Sequence, residues 1–456
     1  MNPINIRENI LDLLIRIEKQ DAYLNILIPS YLNRHTFKSE DKALIQEISY
    51  GVTRYRKKLD WIIDQFLDYK NKKLSITVRN ILRMGVYQII NLNKIPDYAI
   101  CNESVELVKK SKDFRKSKLV NAVLRNTIRR LDNIFWPDIN RESIKYISIF
   151  YSYPEWLVRK WIKRFGLELC IRICQASNNR PEITLRLNPL KISIQDLKKN
   201  LKGAGMEFKE SQYLPDEALV VRSFSEIGSS YFFINGLFSI QDESSILVSK
   251  LLDPLPGELV IDMCSGPGGK TTHLAQIMGN KGEIIAFEKN KKRLGMIAEE
   301  CIRLGVGIVK PILHDSSQLS KDYLKKADKI LVDVPCSGTG VIKKKPDMKW
   351  RKINSEWLKR INQSQEVILD IASQYLRQGG EMVYSTCSIE REENDILVNK
   401  FLKNNKGFVL KETSAFVKTH NLTKYETEIK QAIQLIPGYS GGTIDGFYMV
   451  KIKKIK

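Results

Sequence analysis

The sequence predicts a multidomain protein: an all-α first third, a small α+β unit, and a final α/β domain built on a doubly wound sheet. Three observations carry this. Apolar residues recur at helical spacing from the start to about residue 135. A strand-like alternation appears at 182–188. From about residue 240, short apolar runs of strand type alternate with helical segments. The chain's 456 residues suffice for two or three domains of ~100–200 residues, and the composition shifts divide them as 1–137, 138–236 and 237–456.

In the first part, Leu59, Ile62, Ile63, Phe66 and Leu67 fall at i, i+3, i+4, i+7 and i+8; Ile10, Leu14 and Ile17, then Val120, Val123, Leu124 and Leu131, repeat the pattern. The formal net charge of +22 and pI near 9.5 point to a polyanionic partner. Residues 1–150 hold 27 Lys+Arg against 17 Asp+Glu, a net of +10. Arg54-Tyr55-Arg56-Lys57-Lys58 and Lys109-Lys110-Ser111-Lys112 concentrate that charge and can neutralise phosphates, although any one such run is also what a solvated helix face looks like.

Trp136-Pro137 breaks the helical pattern, and a further helix follows Tyr153-Pro154 and ends near Gly166, so 140–180 reads as a connector. Strands at 182–188 and 217–222 flank a helix at about 193–202, making the α+β unit. In the last domain the expected strands are 258–262, 283–287, 308–313, 329–334 and 380–385. Strand-helix alternation makes them parallel, with ligand sites at their carboxyl ends.

After the first of these strands comes Asp262-Met263-Cys264-Ser265-Gly266-Pro267-Gly268-Gly269-Lys270-Thr271, opening a helix. Its glycines allow a sharp turn and close approach to a ligand. A P-loop is excluded, because that pattern requires glycine where Cys264 stands. Glu288 ends the second strand, about 20 residues after the glycine loop, where a carboxylate accepts from both hydroxyls of an unphosphorylated ribose. Asp315, after the third strand, can accept from the exocyclic amine of an adenine. An acidic residue at a single strand end is usually surface; the ordered set Asp262, glycine loop, Glu288, Asp315 and Asp333 is what marks a cofactor pocket.

Two thiol motifs follow: Asp333-Val334-Pro335-Cys336-Ser337-Gly338 and Ser385-Thr386-Cys387-Ser388. Each stands at the end of an expected strand of the same sheet, which brings both to one edge and suggests covalent chemistry. Most free cysteines are small buried hydrophobes, and one motif alone would read that way. The seven cysteines are scattered without metal-ligand spacing, so neither a disulfide framework nor a metal site is expected. No run approaches the ~20 apolar residues of a membrane span, and the N-terminus has no secretion signal; a cytoplasmic protein without membrane partners is expected.

These residues resemble the S-adenosylmethionine-dependent RNA cytosine methyltransferases of the Nol1/Nop2/Sun family. The loop is similar to that family's Asp-x-Cys-Ala-Ala-Pro-Gly-Gly-Lys signature, with Ser265 and Gly266 in place of the two alanines. The resemblance implies a Rossmann-like class I methyltransferase domain. Its cofactor lies on Cys264, Ser265, Gly266, Pro267, Gly268, Gly269, Lys270, Glu288, Asp315 and Asp333. It further implies that Cys387 is the nucleophile, that Cys336 assists product release, and that Asp333 interacts with N3 of the target base. The residues alone leave the two thiol roles interchangeable, since DNA cytosine methyltransferases use a Pro-Cys thiol. An exocyclic-amine methyltransferase would carry Asn or Asp-Pro-Pro-Tyr where Asp333-Val334-Pro335-Cys336 stands.

Ser49-Tyr50-Gly51-Val52-Thr53-Arg54, Arg83-Met84-Gly85-Val86-Tyr87 and Val120-Asn121-Ala122-Val123-Leu124-Arg125 resemble the NusB-type RNA-binding domain. Its fusion to the catalytic domain is characteristic of the bacterial Sun/Fmu-type members, which methylate a cytosine in 16S ribosomal RNA. Gln241-Asp242-Glu243-Ser244-Ser245 and Asp445-Gly446-Phe447-Tyr448 agree with that branch. The expected substrate is a single-stranded or extruded cytosine, acted on by a monomer. A transfer RNA methyltransferase and a non-catalytic RNA-binding or antitermination protein are the alternatives.

Overall fold

The computed structural model describes residues 5–20, 22–68, 73–221, 227–351, 355–423, 431–439 and 444–456. The chain forms two compact units: Met1–Asn179 with Ile342–Lys352, and Arg180–Val341 with Ile353–Lys456.

The first unit is all helix: α1 (Ile6–Gln20), α2 (Leu24–Arg34), α3 (Ser39–Arg54), α4 (Arg56–Gln65), α5 (Ile76–Asn91), α6 (Asp97–Lys109), α7 (Ser117–Arg129), α8 (Ser143–Phe150) and α9 (Glu155–Ala176). The apolar stripes read from the sequence face one core that includes Ile10, Leu59, Ile63, Val120 and Leu124. The stretch read as a connector folds as α8 and α9 and belongs to this unit by its contacts. At Gly166 the backbone leaves the helical region (φ 78°, ψ 169°), so α9 is two helices meeting at that residue and the first ends where the sequence placed its end, because glycine alone enters that region without steric cost.

Ile342–Lys352 also packs here. Arg54 donates to the carbonyl of Lys343 (3.0 Å), Lys349 donates to Asn178 Oδ1 (2.6 Å), and the Trp350 indole donates to the carbonyl of Thr53 (2.6 Å). Lys349 is buried, and burial lowers its pKa well below the ordinary lysine value.

In the second unit, β1 (Ile183–Leu187), α10 (Ile194–Gly203), β2 (Phe208–Glu210), β3 (Ala218–Val221), α11 (Tyr231–Ile234) and β4 (Phe238–Ile240) form a small antiparallel sheet of order β2-β3-β1-β4. Position 222 of the expected strand lies outside the described residues. There follow α12 (Glu243–Leu252), β5 (Leu259–Asp262), α13 (Gly269–Ile277), β6 (Glu283–Glu288), α14 (Lys291–Leu304), β7 (Val309–Leu313), β8 (Ala327–Asp333), α15 (Ser355–Tyr375), β9 (Leu376–Thr386), α16 (Asp395–Asn404), β10 (Phe408–Leu410), α17 (Ser414–Thr419), β11 (Ala432–Leu435) and β12 (Phe447–Lys454).

The large sheet runs β10-β12-β9-β8-β5-β6-β7, with β11 beside β12. The five strands expected from the sequence are its parallel part. Central strands such as β5, with Val260 and Ile261 fully buried, carry unbroken apolar runs because helices cover both faces. β10, β11 and β12 pair antiparallel, so the sheet is mixed, an addition the sequence reading did not contain.

Candidate active site

Parallel pairing of β5, β6, β7, β8 and β9 places their carboxyl ends on one edge. At the end of β5, buried Asp262 accepts from the Thr271 hydroxyl (2.7 Å) and the Cys264 N–H (3.3 Å). Burial pushes its pKa up to about 7, with Thr271 opposing and the charge of Asp333 adding. Gly268 has φ 109°, which seats the loop at the start of α13. A side chain at Gly266 would meet the Glu288 carboxylate, so glycine there lets the loop backbone lie against that acid. Glu288, at the end of β6, is nearly buried, and its Oε1 accepts from the Asn290 N–H (2.7 Å). Asp315, after β7, accepts from the N–H and hydroxyl of Ser317 (3.0 and 2.8 Å), which hold its pKa below the ordinary value. The Cys264 thiol is raised well above the ordinary range by burial and by the charges of Asp262, Asp333 and Glu288, so it stays protonated.

Lys270 joins this loop to the thiol motifs. Its Nζ donates to Asp333 Oδ2 (2.8 Å), and the Ser385 hydroxyl donates to Asp333 Oδ1 (2.7 Å). Burial works against the ammonium charge, but Asp333 and then Cys387 outweigh it, so the Lys270 pKa is raised. Cys336 and Cys387 stand with their sulfurs 3.1 Å apart, both half-buried. Cys387 interacts with the Lys270 cation; Cys336 is raised well above the ordinary thiol range by its bond to Cys387, by burial and by the charge of Glu393. A cation favours the thiolate and a carboxylate disfavours it.

Sequence reasoning missed the clamp behind the thiols. Fully buried Glu393 accepts from the Ser337 N–H (2.8 Å), the Ser337 hydroxyl, the Ser388 hydroxyl (2.8 Å) and Gln365 Nε2 (3.0 Å). It therefore binds the residue after each thiol. Gly340 and Gly446 pack backbone to backbone: the Gly446 N–H donates to the Gly340 carbonyl (2.9 Å), and a Cβ on Gly340 would lie 2.0 Å from the Gly446 carbonyl oxygen. That contact gives Asp445-Gly446-Phe447-Tyr448 its physical reason. A second missed residue is Arg186 on β1, fully buried, which donates to Gln241, to the Gly269 carbonyl (2.6 Å) and to Thr272 Oγ1 (3.3 Å). It supports the first turn of α13 from the small sheet. The sequence carried no cue, because Thr184 and Arg186 alternate with Ile183, Leu185 and Leu187 as in a half-exposed strand.

Among the described residues no cluster of three or more His, Cys, Asp or Glu is arranged to hold a metal ion, and no described helix is long and apolar enough to cross a membrane.

Comparison with known proteins shows the family. Residues 249–453 match the family described as 16S rRNA methyltransferase RsmB/F, residues 4–129 the NusB family, and residues 153–227 the ferredoxin-like domain of RsmF/B-like methyltransferases. A Bacillus subtilis (strain 168) protein named "Probable ribosomal RNA small subunit methyltransferase B" is 32% identical over 456 residues, 100% of both chains. The crystal structure of PH0851 shares the fold, with a TM-score of 0.79 at 24% identity over 98% of each chain. That of a methyltransferase homolog from Pyrococcus horikoshii has a TM-score of 0.59 at 32% identity, covering 68% of this chain and 99% of its own.

Proposed function

Because the chain belongs to the RsmB/F family of 16S ribosomal RNA methyltransferases, we propose that it methylates carbon 5 of a cytosine in 16S ribosomal RNA through a transient bond between Cys387 and carbon 6. S-adenosylmethionine, when bound, supplies an electrophilic methyl group. Loop residues 264–270 with Glu288, Asp315 and Asp333 are assigned to hold it: the side-chain-free backbone at Gly266 beside the Glu288 carboxylate fits a ribose bound edge-on.

Cytosine carbon 5 is a weak nucleophile. Addition of the Cys387 thiolate to carbon 6 breaks the 5,6 double bond and drives charge toward N3, where the Lys270–Asp333 pair supplies a proton. The resulting enamine makes carbon 5 reactive toward the methyl group. A base then takes the carbon-5 proton, the carbon–sulfur bond to Cys387 breaks, the double bond re-forms, N3 returns its proton to the Lys270–Asp333 pair and the thiolate leaves. Cys336, in contact with Cys387, assists that release. The assignment of roles follows the family resemblance, and the interaction of Cys387 with the Lys270 cation supports it. The division at 137/138 and 236/237 is proposed to separate RNA-positioning helices, linking subdomain and catalytic domain, in a monomer assigned to the cytoplasm. The target cytosine enters single-stranded or extruded.

The observation that carries this reading is the pair of sulfurs 3.1 Å apart beside the Lys270–Asp333 pair. Incubation with methyl-labelled S-adenosylmethionine and unmodified 16S ribosomal RNA or transfer RNA, followed by mapping of the label, tests it. Label on carbon 5 of a 16S cytosine is expected. Label on transfer RNA alone, or on neither, refutes it.

A further inference from the structure

A long basic stretch of the helical unit lies at 110–130, where eight basic residues face a single acidic one, Asp113. Seven of the eight are exposed, and among the described residues six of those seven, Lys112, Arg115, Lys118, Arg125, Arg129 and Arg130, form no ion pair. Neighbouring lysines behave differently: Lys109 meets Glu106 (2.7 Å) and Lys110 meets Glu8 (2.5 Å).

Lys118, Ala122, Arg125 and Arg129 are spaced i, i+4, i+7 and i+11 on α7, opposite the buried Val120, Val123, Leu124 and Thr127. At ~1.5 Å per residue the stripe is about 16 Å long, with small Ala122 leaving its middle low. Asn121 accepts from Arg125 Nε (3.2 Å) and Asn126 from Arg129 Nη2 (2.7 Å), steadying guanidinium groups that keep further donors for an outside acceptor. Beside the stripe, Phe114 is 54% exposed and carries Arg115 over its ring at 5.7 Å, a platform of the kind on which a base stacks.

Helix stability does not account for this charge. Arg129 and Arg130, at the carboxyl end of α7, complement the helix dipole, but Lys112, Arg115 and Lys118 lie at or before its amino end, where positive charge is unfavourable. The charge is also concentrated, so a chain-wide excess of lysine does not explain it.

We propose that this exposed face of α7 and the turn before it is a binding surface for an RNA backbone, with Lys118, Arg125 and Arg129 contacting successive phosphates. That the RNA is the ribosomal substrate rests on the function proposed above. Such contacts fix orientation and carry little sequence information.

The test uses the full chain, a variant with Lys118→Gln, Arg125→Gln and Arg129→Gln, and a control with Lys321→Gln, Lys325→Gln and Lys326→Gln, which removes equal charge from exposed positions near the start of β8. Each is titrated with a labelled fragment of unmodified 16S ribosomal RNA across a salt series, and methylation of that RNA is followed in parallel. The α7 variant is expected to bind at least roughly tenfold more weakly at low salt, with the slope of log K against log salt reduced by about 2 to 3; the control keeps the wild-type slope. Equal weakening of both variants, or wild-type binding by the α7 variant, overturns the proposal. If the triple variant misfolds by circular dichroism, Lys118→Gln and Arg125→Gln are tested singly, each expected to reduce the slope by about 0.7 to 0.9, and wild-type slopes for both overturn it equally. RNA bound through this face but never methylated refutes the methyltransferase reading and leaves the surface standing.

Discussion

Four hydrogen bonds converge on the carboxylate of Glu393, three from the two thiol loops and one from Gln365 of α15. Its position on a short turn after the Thr-Cys motif gives no periodic sign of burial, which is why reading the sequence passed over it. The carboxylate acts on chemistry only by holding Ser337 and Ser388, and with them the sulfurs beside them, so it is a positioning residue. Glu393→Gln keeps shape but turns one acceptor into a donor, facing either the Ser337 and Ser388 hydroxyls or the Ser337 N–H and Gln365. Since misplacement of a reacting group by about 1 Å can cost 10²-fold, turnover is expected to fall by roughly that factor while affinity for S-adenosylmethionine, measured calorimetrically, stays unchanged. A parallel loss of cofactor affinity would show that the clamp supports the fold generally and not the thiols.

Among the elements, the junction of β8, β9 and β12 decides where Cys387 stands, because Cys387 directly follows β9. Glu381 of β9 lies opposite Lys329 of β8 in register and binds it (2.7 Å) together with Lys451 of β12 (3.0 Å). Burial pushes the Glu381 pKa up, yet the hydrogen bond from Lys329 and the charge of Lys451 pull it down to about 2 from 4.5. A depressed carboxylate stabilises the fold above its unfolded pKa and loses that contribution as pH falls through the folded value. Glu381→Gln is therefore expected to cost about 1 kcal/mol at pH 7, a partly exposed group being screened. The gap in denaturant midpoint between wild type and variant closes as pH falls from 4.5 toward 2. A gap independent of pH would contradict the electrostatic origin. The parallel strands were legible in the sequence because burial on both faces writes continuous apolar runs, as in Leu259-Val260-Ile261 and Lys329-Ile330-Leu331-Val332. β10, β11 and β12 were not, since an added antiparallel edge depends on partners far along the chain.

Across the whole molecule, fold class and candidate site were readable to different depths. The carboxylates, glycine loop and two thiols were visible because strand ends in a parallel sheet must share an edge. What escaped was support arriving from elsewhere: Arg186 reaching α13 from the small sheet, and Ile342–Lys352 joining the helical unit although it directly follows the Cys336 loop. No local pattern announces such a crossing. The charge excess was likewise evident, but its concentration on the exposed face of α7 needed burial to be known.

The central claim is that sulfur at Cys387 bonds to the target ring while Cys336 serves release. Reaction of Cys336→Ala with unmodified 16S ribosomal RNA and S-adenosylmethionine, followed by nuclease and protease digestion and mass spectrometry, tests it most directly. A stable nucleotide adduct on the peptide containing Cys387, lost in Cys387→Ala, which also has no turnover, is the predicted result. Full activity of Cys387→Ala, or a wild-type adduct mapped to Cys336, would contradict it.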